Sequence, residues 1–231
     1  MSVESTPPTT VAARRTFWFR RRSIPLPTWR TWFVVLSSIG IASWLLLPRV
    51  HAWLAVIEPL DKPPYMIVEG WLPDYALEEA MADANGQPVR RIFTTGIPLE
   101  RGTFLSGFRD YATLSAASLA KMGINSELIC PVPSNEVNTE RTRAMARALK
   151  KVLDAENIPA AERRINLYTL GAHGRRSARI YRDVLGSSWQ VGVISVPSKD
   201  YDETKWYRKS SGAKSVLSEL VALTVQSGDG D

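Results

Sequence analysis

The sequence predicts an α/β fold: a mostly parallel five-stranded sheet with helices on both faces, preceded by one N-terminal transmembrane helix. Three observations carry this. An uncharged apolar run follows a cluster of arginines near the N-terminus. From Tyr65 onward, short apolar runs alternate with longer segments of helical periodicity, the pattern of βαβ units in a largely parallel sheet. With 231 residues, 45% of them hydrophobic, the chain is long enough for one ordinary core plus an appendage.

Residues 1–30 read as a basic cytoplasmic tail, Pro/Thr-rich and then carrying Arg14, Arg15, Arg20, Arg21, Arg22 and Arg30. Thr31–Leu47 carry no charge, and the apolar tone resumes at Val50, so 31–57 reads as the anchor region. Trp29, Trp32, Trp44 and Trp53 flank it as interfacial tryptophans do. A cleavable signal peptide is the competing reading, opposed by the long segment ahead of the apolar run and the lack of a small-x-small cleavage site. A buried core helix is another, opposed by the arginines immediately before it. The positive-inside rule weighs those six arginines against Arg49 and Lys62. It predicts a single pass through the cytoplasmic (inner) membrane, with the N-terminus inside and the α/β body extracytoplasmic. Residues 58–64, with Asp61-Lys62-Pro63-Pro64, read as a short stiff linker.

The domain itself is expected over 65–226. Strands are predicted at Tyr65–Glu69, Arg91–Thr95, Glu127–Val132, Ile165–Leu170 and Gln190–Val196. Helices are predicted at Tyr75–Asn85, Asp110–Met122, Glu140–Ala155, Ser177–Leu185 and Ser215–Val225. Gly86, Gly123 and Gly186 stop the first, second and fourth, and Asn138 or Thr139 is placed to cap the third. Residues 97–109 form a long loop, the kind that tends to carry function. Residues 227–231 are a polar tail.

Right-handed crossovers place every strand-to-helix turn on one edge of such a sheet. The chain around Leu170-Gly171-Ala172-His173-Gly174-Arg175-Arg176 is the most informative of these turns. It sets the one histidine of the soluble part where α/β sheets present ligands, at a helix N-terminus suited to an anion. The same edge collects Arg101, Arg141, Arg175 and Arg176, hydroxyls at Thr95 and Thr142, and acids at Glu69, Asp74, Glu136 and Glu140. Arginine forks match phosphate. A histidine can protonate a leaving oxygen or accept a proton, and Glu69 can orient it or act as base. The structural alternatives are a turn-capping histidine beside a solvated arginine pair, and a Glu69 that is merely a surface or salt-bridged carboxylate.

Other chemistries are excluded by what is missing. No G-x-G-x-x-G follows the first strand, and no P-loop or G-x-S-x-G elbow occurs. No cofactor is therefore expected, and no metal-ligand spacing is present, a divalent ion on Glu69 or Asp74 with a substrate phosphate being the weak alternative. Cys130 is the only cysteine. The net charge of +6 resides mostly in the N-terminal arginines and comes with no nucleic-acid motif, so it reads as a topology signal and not as nucleic-acid binding.

The segments Val68-Glu69-Gly70-Trp71-Leu72-Pro73-Asp74-Tyr75, Thr94-Thr95-Gly96-Ile97-Pro98-Leu99-Glu100-Arg101-Gly102, Glu140-Arg141-Thr142 and Thr169 to Arg176 resemble, in order, blocks of the YdcF/SanA/ElyC-like family, in a membrane-anchored subgroup. They cover roughly residues 65–200. The resemblance implies a Rossmann-like three-layer sandwich and a polar pocket built from Glu69, Gly70, Thr95, Gly96, Thr142, His173 and Arg176. It also implies a link to envelope biogenesis or surface polysaccharide. The chain departs from the commoner pattern at Glu69, Ile97, Ala144 and Met145.

The function expected is that of a membrane-anchored envelope-biogenesis protein that binds a phosphorylated or lipid-linked glycan intermediate and, in an enzymatic version, processes it. His173 and Glu69 would be the catalytic pair. Gly70, Thr95, Gly96, Arg101, Arg141, Thr142 and Arg176 would hold the ligand. The alternatives are a non-catalytic module for a nucleotide-like anion, or one that meets an envelope protein partner.

Overall fold

The computed structural model describes residues 27–100, 106–135 and 139–226. The basic tail before residue 27, Arg101, Glu136, Asn138 and the terminal SGDGD lie outside them. The first element, α1 (Trp29–Leu54), runs 26 residues, and the chain divides into two compact units within it, Met1–Ala42 and Ser43–Asp231. The described part of the first unit is a helix with its large apolar side chains in the open, Phe33 being 67% and Ile41 61% exposed. The helix is long and apolar enough to cross a membrane, with a mean hydropathy of 1.8 over its most apolar window, none of which is buried. That exposure does not fit the buried-core-helix alternative.

The second unit is a six-stranded sheet: β1 (Ile57–Glu58), β2 (Tyr65–Glu69), β3 (Arg91–Gly96), β4 (Ile129–Pro133), β5 (Arg164–Leu170) and β6 (Gln190–Val196), in the order β1-β6-β5-β2-β3-β4. β2 to β6 are parallel, and β1 is antiparallel to β6 through Ile57↔Ile194 and Glu58↔Val193. The sheet has six strands where five were expected. The extra one is two residues long, too short to show a period, and is made by the exposed edge of β6. Within the residues expected as a short stiff linker, the Leu60 N–H donates to Asn166 Oδ1 at 2.9 Å, and its carbonyl accepts from Nδ2 at 3.1 Å.

The alternation of side chains along each strand divides the core in two. Tyr65, Ile67, Phe93, Ile165, Leu167 and Val193 face α4 (Arg141–Ala155) and α5 (Gly174–Leu185). Met66, Val68, Ile92, Tyr168 and Val196 face α2 (Asp74–Asn85) and α3 (Tyr111–Met122). Helices therefore cover both faces, which is why β2 reads as an unbroken apolar run. α3 starts where Asp110 accepts from the Thr113 N–H at 2.7 Å and stops at Gly123, whose φ of 114° is left-handed. The N-cap position of α4 is Glu140 and not Thr139, and Asn138 lies outside the described residues. Its first turn is preceded by Glu140 at φ 53°, with no side-chain cap. α5 begins three residues before the expected Ser177, directly after a 3-10 turn over Gly171–His173.

The connection order places the ligand end of the sheet. From β2 the chain steps outward to β3 and β4, then returns across β2 to β5 and continues to β6. The direction reverses between β2 and β5, and the crevice outside the carboxyl ends of strands at such a point is where open α/β sheets bind ligands. Glu69 and the Gly171–His173 turn stand there. The last helix, α6 (Ser210–Gln226), folds back beside this turn. Ala172, Val216 and Leu223 join Tyr201 and Trp206 in a third apolar cluster with Leu54, and Leu47 and Val50 pack against it. The second half of α1, from Ser43, is thus part of the body.

Candidate functional site

Glu69, Thr95 and Thr169 continue the α4/α5-facing rows of their strands, two residues beyond Ile67, Phe93 and Leu167. All three are 0% exposed. A buried carboxylate is tolerable only if its oxygens are bonded. Glu69 Oε2 accepts from Thr169 Oγ1 at 2.6 Å, and Oε1 accepts from Ser177 Oγ at 2.8 Å. Thr95 Oγ1 and the Tyr181 hydroxyl share a hydrogen bond of 2.9 Å. Burial raises the Tyr181 phenol well above its ordinary range, and the Glu69 carboxylate raises it further.

In front of this buried layer stands His173, at the end of the 3-10 turn and just ahead of α5. Its Nδ1 is 2.8 Å from Glu219 Oε1 on α6. Arg176, one turn along α5, donates to the same carboxylate through Nε (2.6 Å to Oε2) and Nη2 (3.1 Å to Oε1). Burial by itself would push Glu219 up. The hydrogen bonds from His173 and Arg176, with their charges, override it and hold Glu219 down at about 2. Glu219 is therefore ionised and can only accept, so the hydrogen on His173 sits on Nδ1. It follows that the 2.9 Å approach of Arg176 Nη2 to His173 Nδ1 brings two donors together and is not a hydrogen bond. Nε2 is left as the nitrogen that can take up or release a proton, 3.9 Å from Glu69 Oε2. The Trp71 ring meets the imidazole edge-on at 5.2 Å and fixes its plane.

His173 and Arg176 form one end of a cleft of about 1050 Å³. Arg141, Thr142 and Glu140 at the start of α4 form one side, with Trp71, Ile97 and Tyr111 nearby. The opposite side is α6: Leu217, Val221 and Val225 recur every fourth residue there, 55–61% exposed, with Lys214 a turn earlier. Arg141 is paired with Glu100, whereas Lys214 has no ion pair among the described residues. Polar groups that fix an orientation, set in a mostly apolar wall, are the usual make-up of a small-molecule site.

The expected residues fall into several sets. His173, Arg176, Arg141 and Thr142 line the cleft, and Thr142 Oγ1 lies 3.5 Å from Arg176 Nη1. Glu69 and Thr95 lie behind the histidine and not in the cleft, because the strand period turns them under α5. Gly70 and Gly96 serve packing: a Cβ on Gly70 would stand 2.4 Å from the Tyr111 carbonyl oxygen, and one on Gly96 2.3 Å from the Ala112 nitrogen. Their bareness lets the start of α3 sit against the strand ends. Arg101 falls outside the described residues. Arg175, counted with this edge on sequence, turns away: its Nε donates to the Trp53 carbonyl and its guanidinium stacks 4.3 Å from the Trp53 ring. Two residues were missed, Glu219 and Trp71. The one available signal for Glu219 was that it is the single acid in an otherwise neutral or basic α6.

Compared with known proteins, the chain matches no family model, and no curated protein is significantly similar to it.

Proposed function

We propose that this chain is a membrane-anchored protein of cell-envelope biogenesis, of Rossmann-like fold and akin to the YdcF/SanA/ElyC-like family. Its cleft binds and processes a phosphorylated or lipid-linked glycan intermediate. The observation that carries the proposal is the union of two unlike halves in one cleft. The His173–Glu219–Arg176 end supplies a proton-transfer group beside cations, and the α6 side supplies an exposed apolar wall of Leu217, Val221 and Val225. A phosphate joined to a long apolar chain matches both halves, with the phosphate toward Arg141, Arg176 and Lys214. Support for the Rossmann-like reading comes from the parallel β2–β6 core, the helices on both faces and the reversal between β2 and β5.

In the enzymatic form, Glu219 holds His173 through Nδ1 as a triad carboxylate holds its histidine, and Nε2 passes a proton to or from the reacting oxygen. Glu69 fixes the turn from behind through Thr169 and Ser177. A non-catalytic form, in which the cleft only holds an anionic ligand, is favoured by one specific contact: Arg176 already uses two of its donors on Glu219. The N-terminus is cytoplasmic in this proposal, and a reporter fused after Asp231 that works only in the cytoplasm would overturn that topology.

The test is ligand binding by the full chain in a neutral detergent, with polyprenyl phosphates, polyprenyl diphosphate-sugars and nucleotides. His173→Ala/Arg176→Ala is the control. Saturable binding of a polyprenyl species, lost in the double variant, is expected, and turnover of that species selects the enzymatic form. Folded protein that binds none of them moves the function to a protein partner in the envelope.

A further inference from the structure

A second groove, of about 740 Å³, lies on the other side of α6, lined by α5, the β1 edge and the end of α1. None of its residues belongs to the site described above. Arg175, Arg179 and Arg182 recur at i, i+4 and i+7 of α5, so one helical face presents three guanidinium groups to it. The lining residues hold these three arginines and one acid, Glu58, which pairs with Arg182 at 3.0 Å. Arg175 lies over the Trp53 ring, which is 51% exposed. The floor is apolar, with Val56, Leu220 and Leu223.

We infer that this groove binds the headgroup of an anionic phospholipid in the bilayer that α1 crosses. Three observations choose this occupant over others. The first is charge: a phosphodiester complements a row of arginines, whose planar forks match its oxygens. The second is place. Leu47 ends the uncharged run and Trp53 follows six residues later on the same helix, about 9 Å along it. The headgroup layer is roughly 5–7 Å deep on each side of the hydrocarbon. Trp53 thus stands just beyond it, and arginine side chains reach back into it. The third is the floor, since an exposed tryptophan over apolar side chains accommodates the glycerol and upper acyl carbons that a soluble phosphate lacks. Basic pockets beside membrane helices bind anionic headgroups in this way.

The test uses the full chain in nanodiscs of equal phosphatidylglycerol and phosphatidylcholine, extracted into neutral detergent, with retained lipid counted by native mass spectrometry. The wild-type protein is expected to retain phosphatidylglycerol about tenfold over phosphatidylcholine. Arg175→Gln/Arg179→Gln is expected to reduce that ratio to about threefold or less, while His173→Ala/Arg176→Ala leaves it unchanged, separating this groove from the cleft. Equal retention of the two lipids by the wild type overturns the inference and assigns the groove to an acidic protein segment. That reading needs no variant and stands even if the arginine substitutions fail to fold. An undiminished preference in a folded arginine variant also overturns it, as does displacement of the lipid by inorganic phosphate at equal concentration.

Discussion

His173 and His51 meet the same turn, and each has a carboxylate beside it, yet their surroundings make them different groups. His173 opens on the cleft with its side chain 14% exposed, and its carboxylate, Glu219, is held by an arginine. His51 is 1% exposed, its Nε2 only 3.7 Å from where a side chain on Gly171 would begin. That Nε2 is 3.1 Å from the Tyr201 hydroxyl, which in turn lies 3.4 Å from Ser215 Oγ. Glu203 Oε1 is 3.7 Å away and buried, with no hydrogen-bond partner among the described residues. A histidine beside a carboxylate is therefore not by itself a site. Access and the cation that fixes the carboxylate make His173 suited to chemistry, while the sealed cluster around His51 fastens the end of α1 to the body.

The largest effect is expected at the imidazole of His173. In the enzymatic form, His173→Ala is expected to lower turnover by about 10²–10⁴-fold, with a smaller loss of stability because it also removes one of the two groups that hold Glu219. A steady-state assay paired with a thermal melt checks it, and equal turnover would reduce His173 to a positioning role.

Glu219 gives the next effect, in stability and with a definite pH window. Its folded value of about 2 lies below the ordinary 4.5, so the unfolded chain takes up its proton first as pH falls. The stabilisation is complete above about pH 4.5 and is lost as pH falls through about 2, amounting to something on the order of 3 kcal/mol. Denaturant melts of the wild type and Glu219→Gln at several pH values should converge toward the acid end. Parallel curves would show that the network contributes nothing to acid stability.

The sealed cluster is probed by Tyr201→Phe, which removes one hydrogen-bond partner of His51. A loss of about 1 kcal/mol is expected, with binding in the cleft unchanged. A binding defect as large as that of Arg176→Ala would mean that the two clusters act as one. The smallest effect is expected at Lys214→Ala, where an exposed cation at the cleft mouth is lost. Affinity for an anionic ligand should drop about two- to fivefold, and the drop should fade in high salt.

Much of the fold was legible because helix and strand periods are local. β2 and β6 have the bounds read from the sequence, Tyr65–Glu69 and Gln190–Val196, and the five predicted helices are all present, three of them stopped at the expected glycines, although α5 and α6 start three and five residues early. The body's beginning was not legible. A body cut at Asp61 would lose β1 together with Leu54 and Val56, both buried, because an apolar segment reads alike whether it faces lipid or a neighbouring helix. Within the site, the turn carrying His173 and Arg176 was legible from its glycines and its single histidine.

The residue pattern alone sets an α/β body behind an apolar helix, and a histidine turn at the carboxyl edge of its sheet. Both follow from patterns that repeat within a few residues. Packing, in turn, turns Glu69 inward, sends Arg175 to another groove, and brings Glu219, 46 residues beyond His173, to the histidine. A side chain's direction depends on which helix covers its strand, and a partner so far along the chain is chosen by packing, which no local pattern records.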